Sequence, residues 1–152
     1  MRTFYATLED LKKTRGRFAI VGSVNGYLAL PGNSPYAMSK FAVRALAESL
    51  RGELRGYGIA VTHIAPGFVD TEIRKVDNRG GFHPLAKDKV PSWIQWPADR
   101  AARVMVAAIW RRRSEKVVTG HGSLVVFLQR HLPRFLSFVV QRLGIRARPQ
   151  AE

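Results

Sequence analysis

The sequence predicts an α/β fold in which a parallel sheet carries helices on its faces. Two observations predict it. Helical apolar spacing and short β-branched runs alternate in the order helix, strand, helix, strand, helix, strand, which is the order of βαβ units. The 152 residues are 46% hydrophobic, which suffices for the core of about one domain.

Residues Arg2 to Lys13 read as the first helix, with Phe4, Leu8 and Leu11 at its apolar positions and "TRG" ending it. "RFAIVGS" gives a short strand, Phe18 to Val21, and the polar, glycine-rich "SVNGYLALPGNS" a loop. The next segment, "PYAMSKFAVRALAESLRGELRGYG", is a helix. Pro35 suits its first turn, Ser34 offers a cap, and Gly56 and Gly58 close it. "IAVTHIA", Ile59 to Ala65, is a strand rich in β-branched residues, and "PGFVDTEIRK" turns out of it. Val76 to Trp96 lacks periodicity and carries Gly80, Gly81, Pro84 and Pro91. A connection of about 20 residues is long and reads as a functional loop or lid. "PADRAARVMVAAIWRRR" is a helix beginning at Pro97, and "KVVTG" is the last short strand.

The chain divides into 1–122, the α/β part, and 123–152, a basic amphipathic helical tail. In the tail Leu124, Leu128, Leu132, Phe135, Val139 and Leu143 make an apolar stripe, with Arg130, Arg134 and Gln141 on the other side. Pro133 splits it into two short helices.

Charge is strongly unbalanced: 25 Lys and Arg against 11 Asp and Glu, a formal charge of +14. From Ala101 onward only Glu115 and Glu152 answer the arginines and lysines. Such a balance suits either a solvated basic surface or an anionic partner, membrane phosphates or nucleic acid. No nucleic-acid module signature appears. There are no cysteines, which removes disulfides and thiolate metal sites and favours a reducing compartment, the cytoplasm. No apolar run reaches the roughly 18 residues of a membrane span, so membrane contact would be peripheral, through 123–143.

The chemistry centres on "NSPYAMSK", which sets Tyr36 and Lys40 one helical turn apart on a shared face. In parallel α/β sheets ligands bind at the carboxyl ends of the strands. Ser23 lies just past the first strand and Pro66–Gly67 just past the second, with Tyr36 and Lys40 at the start of the helix between them. A phenol is a poor acid–base catalyst at neutral pH unless its anion is favoured. An ammonium about 5 Å away, at an effective dielectric near 20, favours that anion by about 3 kcal/mol. Lys40 can supply this field, and Ser23 can hydrogen-bond the oxygen that gains or loses the proton. These are the parts needed to interconvert an alcohol and a carbonyl.

On these residues the chain resembles the short-chain dehydrogenase/reductase family. "VGSVNGYLALPGNSPYAMSKFAVRALAESLRGEL" followed by "VTHIAPGFVDTEI" carries the resemblance. Ser23 stands thirteen residues before the tyrosine of a Y-x-x-x-K element, and "PG" opens the next segment. The match runs from about Leu11 to Thr71 and more weakly to Gly120. The resemblance implies a Rossmann-like doubly wound parallel sheet and NAD- or NADP-dependent hydride transfer on a small-molecule alcohol or ketone. It also implies a homo-oligomer. Tyr36 would be the acid–base group, Lys40 would bind the nicotinamide ribose and favour the phenolate, and Ser23 would orient the substrate. The Pro-Gly segment would hold the nicotinamide carboxamide, which implicates Pro66, Gly67, Val69 and Thr71.

The family's first half is missing from the pattern: there is no Gly-rich pyrophosphate turn, no residue choosing NAD or NADP, and no catalytic asparagine. The chain is expected to be the C-terminal half of such an enzyme, beginning inside its fourth connecting helix. Three functions follow: an NAD(P)-dependent oxidoreductase, a non-catalytic remnant acting as an interaction or subunit module, and a basic membrane- or nucleic-acid-associated protein. Other features carry less. His63, His83, His121 and His131 lack metal-ligand spacing, and no G-x-S-x-G accompanies Ser23. "TGHGS" reads as a turn, and Trp93, Trp96 and Trp110 as packing.

Overall fold

A computed structural model describes residues 2–76, 80–84 and 90–142, with Arg74 by its backbone alone. Its elements are α1 (Arg2–Thr14), β1 (Arg17–Val21), α2 (Ser34–Leu54), β2 (Ala60–Ala65), α3 (Ala98–Trp110), β3 (Glu115–Val117), α4 (Gly120–His131) and α5 (Pro133–Arg142). The three strands form one parallel sheet in the order β1-β2-β3. The α/β architecture with a parallel sheet expected from the sequence is present.

Side chains alternate across β2 and build a different core on each face. On one face Val61 packs with Phe4 of α1, Phe18 and Ile20 of β1, and Ala47, Leu50 and Leu54 of α2. On the other, Ile64 packs with Ala101, Val104, Met105 and Ala108 of α3. β2, the middle strand, is buried along nearly its whole length, whereas β1 is no more than half-buried because only β2 pairs with it.

Several boundaries differ from the sequence expectation for local physical reasons. Ser34 sits inside α2; the Asn33 carbonyl accepts from the Ala37 N–H, 2.9 Å, so Asn33 holds the cap position. β3 stops at Val117, and "TGHGS" opens a helix instead of making a free turn. The Thr119 side chain caps α4 by accepting from the Gly122 N–H at 3.3 Å. Pro133 does split the tail into two helices. Of the apolar stripe expected in the tail, Leu124, Leu132 and Phe135 are exposed and Leu128 and Val139 half-buried, while Val126 and Leu136, outside that stripe, are buried. Leu143 lies outside the described residues. So does much of the long Val76–Trp96 connection, residues 77–79 and 85–89. Its described parts bridge Val76 to Phe82 and pair Trp96 with Val69.

At the amino ends of the strands Arg112 joins two turns. Its guanidinium donates to the Gly58 carbonyl at 2.9 Å and to the Arg15 carbonyl at 2.6 Å. Gly58 itself has φ +71°, a left-handed conformation that favours glycine.

Candidate active site

The carboxyl ends of all three strands converge on one rim. β1 runs into Gly22–Ser23, β2 into Pro66–Gly67 and β3 into Val118–Thr119. Backbone bonds extend the sheet past its strands: Gly22 N–H to the Ile64 carbonyl (2.7 Å), Val24 N–H to the Pro66 carbonyl (3.0 Å) and Val118 N–H to the Ala65 carbonyl (3.0 Å). Ser23 caps a 3-10 turn, Val24–Gly26, its Oγ accepting from the Asn25 N–H at 3.1 Å. That bond uses a lone pair and leaves the hydroxyl hydrogen to donate elsewhere.

Tyr36 and Lys40 share one face of the first turns of α2. The Lys40 Nζ lies 5.4 Å from the centre of the Tyr36 ring, and the ring is 45% exposed, so the phenol opens to solvent and to any ligand. The serine turn is pressed against this helix. A Cβ placed on Gly26 would come within 2.8 Å of the Lys40 carbonyl oxygen, so only glycine allows the approach. Ser23, Tyr36 and Lys40 therefore belong to one rim.

Pro66 and Gly67 lie at the same rim. A Cβ on Gly67 would meet Thr119 Oγ1 at 2.2 Å and His121 Nε2 at 2.8 Å. His121 also stacks on Phe68 at 5.7 Å between ring centres and accepts from the Phe68 N–H at 3.4 Å. Val69, half-buried, bridges to Trp96. Thr71 is exposed in extended backbone before the turn Glu72–Lys75 and makes no side-chain cap bond there.

Four residues at or beneath the rim were given no part in the site from the sequence: Tyr27, His63, Thr119 and His121. Tyr27 and His63 are both buried, joined by a 3.0 Å hydrogen bond between the phenol oxygen and Nδ1. Arg44 and Arg130 lie 4.3 and 5.3 Å from the Tyr27 ring centre. Arg130 in turn pairs with both Glu115 oxygens at 2.8 and 2.9 Å. Burial, and then the nearby Glu115 carboxylate, push the Tyr27 phenol above its ordinary range. Burial holds the His63 imidazole below its own, and the same cause acts on His121. A histidine inside the β-branched run "VTHIA" was the one available signal.

These depressed histidines make stability depend on pH. The folded state resists protonation that the unfolded chain accepts near pH 6.5, so the unfolded state binds more protons once pH falls through that value. Stability is expected to drop on moving from pH 7 toward 5, by at most about 1.4 kcal/mol per pH unit for each histidine. His63→Gln should flatten the slope. Thermal melts giving a flat or inverted dependence in the parent protein would contradict this.

The family model described as short chain dehydrogenase matches residues 1–80, more than half of the chain. The chain belongs to the short-chain dehydrogenase family. Relatives agree. Dehydrogenase/reductase SDR family member 7B of Xenopus tropicalis is 31% identical over 87% of this chain and 43% of its own length. An 11-beta-hydroxysteroid dehydrogenase-like 6 of Arabidopsis thaliana is 48% identical over 57% of this chain and 23% of its own. A short chain dehydrogenase from Burkholderia cenocepacia, solved in complex with NADP, superposes with a TM-score of 0.73 at 20% identity, over 90% of this chain and 52% of that one. The shared fold is that of the family's Rossmann-like sheet. This short-chain dehydrogenase chain spans less than half the length of such curated relatives.

Proposed function

We propose that residues 1–122 form the catalytic part of an NAD- or NADP-dependent oxidoreductase that interconverts a small-molecule alcohol and its carbonyl. The observation that carries the reading is the rim itself: Tyr36 and Lys40 on one helical face, with the Ser23 turn seated against the Lys40 backbone. Donors of this kind fit the nicotinamide end of such a cofactor, because Lys40 offers an ammonium to a ribose diol and Tyr36 an open hydroxyl. Pro66, Gly67, Val69 and Thr71 lie along the neighbouring segment, where the carboxamide would sit. The sequence holds no glycine-rich turn for a pyrophosphate, and two solved relatives of the fold carry NADP or NADPH.

A bound nicotinamide supplies or accepts the hydride. The chain's own residues manage the proton. In the reducing direction Tyr36 Oη gives its proton to the carbonyl oxygen, and the Ser23 hydroxyl hydrogen-bonds that same oxygen. The Lys40 ammonium stabilises the negative charge that grows on Tyr36 Oη as the proton leaves. In the oxidising direction the same oxygen takes the proton back. The test is a steady-state assay of a form extended to its relatives' length, with NAD and NADP against a panel of alcohols and ketones. Absence of hydride transfer across the panel, in a folded protein, would overturn the reading.

The open side of β1 adds a second element, self-association. Among the described residues only β2 pairs with β1, and an edge strand with apolar Phe18, Ala19 and Ile20 and an open row of N–H and C=O groups recruits other chains. The 152-residue chain is expected to sediment as an oligomer and to bind NADH and NADPH weakly, without dehydrogenase activity of its own. Analytical ultracentrifugation and fluorescence titration decide this; a monomer with micromolar cofactor affinity would be the opposite result.

A further inference from the structure

The two tail helices present an apolar surface that is left exposed among the described residues. On α4, Leu124, Phe127 and His131 follow helical spacing along the outward face, and on α5 Phe135, Phe138 and Arg142 do the same. Leu124, Phe127, Phe135 and Phe138 are each more than half exposed, although Val126 and Leu136 on the same helices are buried. The helices are therefore docked, and what they show to water is still aromatic and aliphatic. Scattered exposed apolar residues are ordinary, but a contiguous set with arginines beside it marks an interaction surface.

We propose that this face is a docking surface for an anionic lipid bilayer. The choice of occupant rests on charge. From Gly120 to Arg142 there is no acidic residue, and the protein as a whole carries +14. Arg130 is already committed to Glu115. Among the described residues Arg134 and Arg142 form no ion pair, and the Arg142 guanidinium lies 5.9 Å from the Phe138 ring centre. Aromatic side chains beside guanidiniums that no described carboxylate neutralises suit the headgroup boundary, where rings enter the acyl region and arginines meet phosphates. A nucleic-acid duplex, met through its phosphates, would leave the phenylalanines in water. Among the described residues no helix is long and apolar enough to cross a membrane, so the contact lies on the surface. This goes beyond the catalytic reading and does not depend on it.

The experiment is vesicle co-sedimentation of the 152-residue protein at low and high salt. Phosphatidylcholine vesicles are compared with phosphatidylcholine containing phosphatidylserine. Binding should require the anionic lipid and weaken with salt. Arg134→Glu with Arg142→Glu should weaken it by roughly 25-fold or more, at about fivefold per arginine. Phe135→Ser with Phe138→Ser should weaken it more than about tenfold, while circular dichroism stays unchanged. Arg130→Gln combined with Glu115→Gln, which removes an already neutral pair, should leave lipid affinity within about twofold, because the local charge is unchanged. Equal binding to neutral vesicles, no binding, or full retention by the serine variant would each overturn the proposal. So would serine substitutions that abolish self-association instead of vesicle binding, since the face would then belong to a second copy. If the serine variant misfolds, hydrogen-exchange protection of 124–142 on adding anionic vesicles to the unaltered protein decides it; no protection refutes the lipid.

Discussion

Replacing Tyr36 by phenylalanine is expected to lower turnover by about 100- to 10,000-fold, the range that general acid–base catalysis supplies. Cofactor affinity should change little. The substitution removes one oxygen from an exposed ring and leaves the helix turn and the Lys40 ammonium in place. Lys40→Ala should behave differently, lowering both affinity and rate, because the ammonium would serve the ribose and the phenolate together. The pair is measured in a form extended to its relatives' length, by steady-state kinetics and cofactor titration. More than about a tenth of the parent rate in Tyr36→Phe would assign the proton to another group.

The second large effect is structural. Gly22→Ala is expected to cost about 1–3 kcal/mol, because the new methyl would arrive 2.2 Å from His63 Nε2. His63 cannot retreat easily: it is buried in the middle strand and bonded to Tyr27. For a chain of this size that loss lowers the melting temperature by roughly 2–4 °C per kcal/mol. Because the clash is with one ring, His63→Ala should relieve part of it, so the double variant would be less destabilised than the two single losses added together. Additive losses would show that the strain lies in the backbone of the turn and not in the imidazole.

Much of the architecture could be read from local pattern. The bounds of α2 and the β-branched run of β2 are kept within a residue or two of expectation, although on the apolar spacing of α2 Leu50 and Leu54 are buried, Leu46 is half-buried and Phe41 is exposed. The rim was legible only in part. Ser23, Tyr36 and Lys40 announce themselves by spacing, whereas Thr119 and His121 reach Gly67 only because β3 lies beside β2 in space. That contact is far apart in sequence and leaves no periodic trace. The orientation of the tail was left open by the sequence for another reason. Helical spacing shows that an apolar stripe exists, but the same stripe serves a core or a surface, and only docking of Val126 and Leu136 fixed which side turned inward.

The Arg112 bonds to the Gly58 and Arg15 carbonyls lie at the end of the sheet farthest from the rim. These bonds tie the turns that lead into β1 and β2 without involving any residue of the rim. Substitutions at the rim, in Phe68 or Thr71, would therefore leave this fastening of the turns before β1 and β2 untouched.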